Sequence, residues 1–307
     1  MHHWLRPDRP NLHAHFSSLA RPVLTVDSGD VVSFATPDVS WGLEPPTSTT
    51  ASRKKVEPRD PARDNGPCLC GPVAVRGARP GDTLEILIER VRPSPWGWTY
   101  AGGSIANPAY NAALGLIDAP LTLMRWSLDE NQCTATNQHG QSVPVRPFPG
   151  TIGLSPAEEH ADGWTPRETG GNMDCRELVA GTTLLLPVAV EGGLLSVGDG
   201  HAAQGDGELS GTAIECAMEE VRIRVTVRSG VRIKGPRIKT AEGWITLGFG
   251  PTLDAASMQA SSAMLDLLAE VLRLQRSDAL ALASSKVDLR ITQQVNPVKG
   301  VHAVFRP

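Results

Sequence analysis

The sequence predicts a mainly β protein, with sandwich- or barrel-like sheets, long loops, and one amphipathic helix packed on them near the C-terminus. Three observations carry this. Short apolar segments with a two-residue period recur along most of the chain and are separated by turn residues, the pattern of half-buried strands. Glycine and proline number 30 and 25 among 307 residues, well above average usage, and they fall between those segments without forming a low-complexity tract. Only residues 254–276 carry a long helical period.

Residues 22–36, PVLTVDSGDVVSFAT, read as two β-rich runs joined by Asp-Ser-Gly-Asp, where Gly29 can take positive φ, so a hairpin or tight strand pair is expected. Residues 37–70 are polar, rich in Pro and Ser/Thr and aperiodic, which predicts a long loop able to serve as a lid. The run 71–92 returns to strand grammar, with Leu84, Ile86 and Ile88 on one face and Glu85 and Glu89 on the other. A second long loop is expected over 93–120, which contains WGWTYAGGS. Residues 133–147 predict a hairpin around His139-Gly140, 182–199 a pair of apolar strands around Glu191-Gly192-Gly193, and 211–230 an alternating strand. In 254–276, Met264, Leu267, Leu268, Val271, Leu272 and Leu274 form one broad apolar helical face. A shorter helix capped by Ser277 follows, and VDLRITQQV returns to strand. Residues 1–307 are expected to form a single domain, with a subdivision near residue 150 between an N-terminal β region and a C-terminal β region that carries the helix.

Composition narrows the functional classes. The net charge is −4, from 29 basic and 33 acidic side chains, and no Lys/Arg cluster is dense enough to neutralise a phosphate backbone, which argues against a nucleic-acid partner. The first residues, MHHWLRPDRPNLHAHF, lack the apolar core of a signal peptide, and no run of about 18 apolar residues suits a membrane span. Five cysteines, at 68, 70, 133, 175 and 216, are odd in number and scattered, which fits a reducing compartment; the cytoplasm is the expected location.

The stretch richest in chemistry is GDGHAAQGDGE at 198–208, which sets Asp199, His201, Asp206 and Glu208 among glycines directly after an apolar strand. Carboxylate and imidazole are donors that a divalent metal such as zinc takes, and glycine lets the backbone turn tightly around it; a plain polar turn explains the spacing equally well. The same residues mimic the dinucleotide fingerprint G-x-G-x-x-A, but that motif requires a following helix, and the glycines of QGDGELSG would each cost a helix about 1 kcal/mol. TGGNMDCRELVAG at 169–181 brings Asn172 and Asp174 behind a Gly-Gly pair, where Asn172 could equally cap a helical turn. Other nucleophiles fare worse. Cys175 reads as a buried inert thiol, Ser155 in GLSPA lacks the helix that a nucleophile elbow needs, and Lys286 in SSK sits at a helix end. His13 and His15 make an H-x-H pair suited to a metal, although the alternating strands and helices of an amidohydrolase barrel are absent before residue 254. Trp96 and Trp98 can line a pocket or seal the core, the commoner role.

PFPGTIGLSPAE (147–158), GGNMDCREL (170–178) and LLSVGDGHAAQGDGELSGTAIE (194–215), in that order, resemble the acetamidase/formamidase family. The resemblance extends to HFSSLARPVLTVDSGDVVSF, GPVAVRGARPGDTLEILI, the WGW loop and DLRITQQVNPVKGVHAVF, and so covers nearly the whole chain. It implies a β-rich hydrolase of carbon–nitrogen bonds in small non-peptide amides, using a bound divalent metal and assembled as a homo-oligomer. The matching positions include Asn172, Asp174, Asp199, His201, Gln204, Asp206, Glu208, Glu158 and Glu215. Cys175 departs from the aliphatic residue the pattern favours, and LSPAEEHADGW is followed by few of its landmarks.

Chemistry then suggests roles. Asp174, Asp199 and His201 are expected to converge on one metal, zinc or else calcium, that polarises the amide carbonyl and lowers the pKa of water. Glu208 or Glu215 would carry protons from water to nitrogen, with Asn172 and Gln204 donating hydrogen bonds to the developing oxyanion or the amide. The alternatives are a metal-dependent lactamase or other amide or urea-like hydrolase, and a non-catalytic metal-binding β module.

Overall fold

The computed structural model describes residues 1–61, 63–103 and 108–307. Two large sheets dominate, as the alternating segments predict. The first runs, in spatial order, through His2–Leu5, Val31–Thr36, Met218–Arg228, Thr83–Pro93, Thr183–Pro187, Arg237–Lys239, Trp244–Gly250, Lys299–Phe305 and Val287–Gln293. The second runs from the hairpin Ser142–Pro144/Thr134–Asn137 through Thr122–Asp129, Trp96–Ala101, Glu215–Cys216, Leu195–His201, Phe148–Gly153 and Gly170–Asn172; Leu69–Val75 also pairs with Leu195–His201. Both sheets draw strands from either side of residue 150.

Alternation decides which faces meet. Leu84, Ile86 and Ile88 are fully buried, and they share one continuous core with Leu184 and Leu186, Val221, Ile223 and Val225, and Val197 of the second sheet. On the opposite face of the same strand, Glu85 pairs with Arg228 and Glu89 with Arg224 across the ladder. The hairpin at 133–147 forms as expected, with Gly140 at φ 80° in its turn.

Several expected partners differ. Leu24–Val26 and Val31–Thr36 form no hairpin: the first runs parallel to Leu69–Val75 in one sheet and the second joins His2–Leu5 and Met218–Arg228 in the other. The pairs within 71–92 and 182–199 likewise divide between sheets. Apolar periodicity fixes the buried face of a strand but not its neighbour. The expected loop at 93–120 contains a strand, Trp96–Ala101, since its aromatic side chains suit a pleated surface. The expected loop 37–70 runs into the strand Leu69–Val75, and among its described residues side chains tie it to the body: Arg9 pairs with Asp64 at 2.7 Å, Arg59 lies 4.1 Å over the Trp41 ring, and Arg53 pairs with Asp38.

The long helix is Leu253–Leu272, capped by Thr252, whose side chain accepts from the Ala255 amide. It buries Ala256, Ala260, Met264, Leu267 and Leu268. Gly248 permits the close approach, because a Cβ there would lie 2.2 Å from the Ala256 carbonyl oxygen. Val271 and Leu272, expected on the buried face, are instead 47% and 40% exposed, because the helix ends at Arg273 in the left-handed conformation. Ser277 is not the cap of the next helix, Arg276–Lys286, which starts one residue earlier from Gln275 without a side-chain capping bond. Among the described residues, no helix is long and apolar enough to cross a membrane.

Candidate functional site

The strand Leu195–His201 carries the centre of the site. Its last four residues alternate glycine with a functional side chain, so Asp199 and His201 project to one side while Gly198 and Gly200 face the other. That other side has no room. A Cβ on Gly198 would meet the Cys68 carbonyl oxygen at 2.3 Å, and one on Gly200 would meet Met218 Cγ at 2.6 Å. Gly150, on the neighbouring strand, opens the space beside the functional pair: a Cβ there would lie 2.6 Å from His201 Cε1 and 2.8 Å from Asp199 Oδ2.

Asp174 arrives from the turn after Gly170–Asn172, Glu215 from the short strand paired with His201, and Glu208 from the loop between them. Asp174, Asp199 and His201 form one triad with donor atoms within 4.8 Å of one another; His201, Glu208 and Glu215 form a second. All five side chains are buried. His201 Nε2 lies 3.2 Å from Asp199 Oδ1 and 3.3 Å from Glu215 Oε1. Asp174, Asp199 and Glu208 sit at φ 50°, 56° and 48°, three of the seven non-glycine residues with left-handed backbone among those described. Each such residue costs on the order of 1 kcal/mol or more, and the surrounding strands hold it there.

Four buried carboxylates around one imidazole cannot all stay charged unaided. Burial, with Asp199 nearby, pushes Asp174 up to about 8. Burial also raises Glu215 to about 7, and burial together with Asp174 holds Glu208 well above the carboxylate range. Burial pulls Asp199 the same way, but the attraction of His201 outweighs it and leaves Asp199 below its ordinary value. For His201, Glu215 and Asp199 overcome burial and keep the ring protonated well above the usual range. Three carboxylate oxygens, Asp174 Oδ1, Glu208 Oε2 and Glu215 Oε2, are buried without a hydrogen-bond donor. Oxygen and imidazole donors in excess negative charge, with lone pairs unmatched by protein N–H groups, fit a divalent cation.

Gln204 occupies a different place from the one expected. Its Nε2 donates to the carbonyls of Asp174 at 2.8 Å and Thr292 at 3.4 Å, and its Oε1 accepts from His201 Nδ1 at 3.0 Å. Both ends of the amide are thus engaged by protein, which fixes the orientation of the His201 ring with Nε2 directed at the carboxylates. Asn172 borders the cavity, accepts from Thr151 Oγ1 at 2.7 Å and donates to the Trp164 carbonyl at 3.3 Å. Asp206 turns away to Arg290 at 2.6 Å and stands outside both triads. His13 bonds Ser196 Oγ at 2.9 Å and His15 packs against His160 with centroids 4.5 Å apart and rings tilted by 49°; neither joins a triad. Burial pushes the Cys175 thiol up to about 12, which suits an inert core residue.

Two participants lie in segments that resemble the family but were not singled out by their chemistry. Asn296 Nδ2 donates to Asp174 Oδ2 at 2.8 Å from a segment 122 residues away, and Thr151 Oγ1 reaches Asp199 Oδ2 at 3.2 Å. The cluster forms part of the wall of a cavity of about 850 Å³, bordered also by Trp98, Tyr100, Trp164, Val295 and Pro297.

The sequence profile of the Acetamidase/Formamidase family matches residues 6–165 and 157–297. An acetamidase of Mycolicibacterium smegmatis is 27% identical over 212 residues, covering 48% of this chain and 50% of that protein. The chain spans about half to two thirds of the length of the curated relatives it matches. Among solved structures, a predicted acetamidase/formamidase from the thermophile Thermoanaerobacter tengcongensis superposes with a TM-score of 0.86 at 29% identity, covering 100% of this chain and 96% of that one. An acetamidase from Bacillus halodurans gives 0.85 at 30% identity, covering 98% and 96%. With profile matches running from residue 6 to residue 297, the chain belongs to the acetamidase/formamidase family.

Proposed function

We propose that this chain is an amidase that hydrolyses the carbon–nitrogen bond of small linear carboxamides to a carboxylate and ammonia. The observation that carries it is the buried cluster of Asp174, Asp199, His201, Glu208 and Glu215 at the wall of a cavity, with three carboxylate oxygens lacking protein donors. Asp174, Asp199 and His201 Nε2 would hold a divalent cation, and the imidazole and carboxylate donors favour zinc. When bound, such a cation withdraws electrons from a carbonyl and lowers the pKa of water towards ~7.

The protein's own groups manage the protons. An amide resists hydrolysis because resonance strengthens its C–N bond and because nitrogen leaves poorly until protonated. Burial and Asp174 hold Glu208 protonated in the protein alone, and a cation bound beside it would favour its ionised form; its Oε2, with no protein partner, would then take a proton from water as the water oxygen bonds to the carbonyl carbon and deliver it to nitrogen as the C–N bond breaks. Glu215 is more tied down, since its Oε1 accepts from the Ala213 amide at 2.9 Å, and it serves to hold His201. Asn172 steadies the amide from the cavity wall. The same reading places the enzyme in the cytoplasm, in keeping with its five free cysteines, and assembles it as a homo-oligomer.

Purified protein incubated with formamide and acetamide, with and without chelator, tests this by ammonia release. His201→Ala is expected to lose bound metal and activity together. Full activity with metal retained would sink the scheme, and no ammonia from linear amides, cyclic amides or ureas would favour a metal-binding β module.

A further inference from the structure

The cavity is larger than one- or two-carbon amides require. At about 850 Å³ it falls among pockets that hold drug-sized ligands, roughly 300 to 1,000 Å³, whereas acetamide has four heavy atoms. The clustered carboxylates and His201 occupy one part, and the rest mixes Trp98, Tyr100, Trp164, Val295 and Pro297 with polar residues such as Asp162, Thr165 and Thr212.

The aromatic wall is built in, not incidental. Trp98 stands opposite Glu215 in the strand ladder, which ties the indole to the reactive cluster. Its Nε1 donates to Asp38 Oδ2 at 2.8 Å, Asp38 is paired with Arg53, and the Arg53 guanidinium lies 5.5 Å from the indole centroid. The indole is therefore committed to protein, N–H and ring alike, and at 2% exposure it serves as a fixed apolar backing for its neighbours at the cavity wall. Tyr100 packs against it with centroids 4.8 Å apart. Trp164 is 43% exposed, and its carbonyl accepts from Asn172, so its backbone is tied to the reactive end while its ring remains accessible.

Charge sets a second limit. The described residues bordering the cavity include Asp162, Asp174, Asp199, Glu208 and Glu215 but no lysine or arginine. With the amide at the carboxylate–imidazole cluster, a carboxylate on the acyl chain would find no lysine or arginine to pair with and would face the negative Asp162.

From this aromatic-walled cavity, whose described lining holds no lysine or arginine, we infer that the preferred substrate is an uncharged primary carboxamide whose acyl group carries a flat, ring-sized apolar moiety, an inference that rests on the amidase reading. The amide end reaches the carboxylate–imidazole cluster while the ring packs against Trp164 and the Trp98–Tyr100 wall.

The experiment measures kcat/KM by ammonia release for acetamide, 2-phenylacetamide and succinamate with the metal-loaded protein. The expected result is 2-phenylacetamide at least about tenfold above acetamide, the scale on which apolar pockets discriminate, with succinamate the poorest. In Trp164→Ala the phenylacetamide-to-acetamide ratio should fall towards one, and Trp164→Phe should restore most of it. Matching thermal unfolding of the variants establishes that they are folded. Acetamide as the better substrate, a ratio unmoved in Trp164→Ala, or succinamate matching 2-phenylacetamide overturns the aromatic pocket and leaves the amidase standing. No ammonia from any amide overturns the amidase reading and this inference with it.

Discussion

Gly150→Ala isolates the geometry of the cluster with a single methyl group. Gly150 does not have a left-handed backbone, so alanine meets no conformational penalty there, and the cost is one of space. The added carbon would lie 2.6 Å from His201 Cε1, 2.8 Å from Asp199 Oδ2 and 2.9 Å from His201 Nε2, where ordinary contact begins near 3.4 Å. The intrusion on the imidazole is about 0.8 Å. Neither neighbour can step aside easily: His201 is tied through Nδ1 to Gln204, and Asp199 is held by Thr151. Misplacing catalytic groups by about 1 Å costs roughly a hundredfold in rate, and overpacking a core costs roughly 1–3 kcal/mol of stability. The variant should therefore fold, with kcat/KM for the amide reduced about a hundredfold and bound metal weakened. Steady-state ammonia release, metal content and thermal unfolding measure the three. Gly235→Ala is the control, since a Cβ there meets nothing within 4 Å. Gly150→Ala with activity within twofold of the unmodified protein would refute the claim that this cleft positions the pair.

Two further outcomes follow from the surroundings of the cluster. Gln204→Leu removes the acceptor for His201 Nδ1 and the donors to two carbonyls, so metal affinity should fall by about ten- to a hundredfold, read by titration against a competing chelator. Burial, with Arg290 nearby, holds His302 at about 4. Below the ordinary imidazole value of 6.5 the unfolded chain binds a proton that the folded chain refuses, so stability is complete above that pH and falls as pH drops towards 4. The full gap corresponds to about 3 kcal/mol. His302→Gln should reduce the slope of this acid limb in urea-unfolding curves taken between pH 7 and 4, leaving the share of His13, which burial also holds at about 4, and parallel curves would show that His302 does not contribute to it.

Sequence reading located the chemistry better than the connections. The glycine-rich GDGHAAQGDGE run and the short GGNMD element, read together with the family resemblance, pointed to side chains that the structure brings within one cluster, although the first of them was expected in a turn and lies on a strand. Sheet membership was illegible. Leu24–Val26 and Val31–Thr36 share a turn yet join different sheets, a choice made by strands up to almost 200 residues away. Asn296 and Thr151 escaped notice for the same reason, since only the folded chain puts them beside Asp174 and Asp199. The strand Trp96–Ala101 was hidden by the aperiodic, glycine-rich stretch around it, although its aromatics are strand formers. Gln204 was noticed but misplaced, because its amide faces the protein on both ends.

The cluster also implies a conflict between stability and function that can be tested by separating metal from charge. Without a cation, Asp174 is buried beside Asp199 with one oxygen lacking a donor and is raised to about 8, so the folded protein bears a cost at neutral pH that the unfolded chain does not. Asp174→Asn keeps the shape and removes the repulsion. It should raise the Tm of chelator-treated protein by a few degrees, since about 1 kcal/mol shifts Tm by roughly 2–4 °C in a domain of this order of size. In the presence of metal the order should reverse, because a bound cation stabilises the folded state in proportion to its affinity and the variant has lost a ligand. Crossing of the two Tm orders is the signature of a carboxylate retained for a cation at the expense of the fold. A variant less stable under both conditions would instead mark Asp174 as a structural residue, its bond from Asn296 outweighing any repulsion.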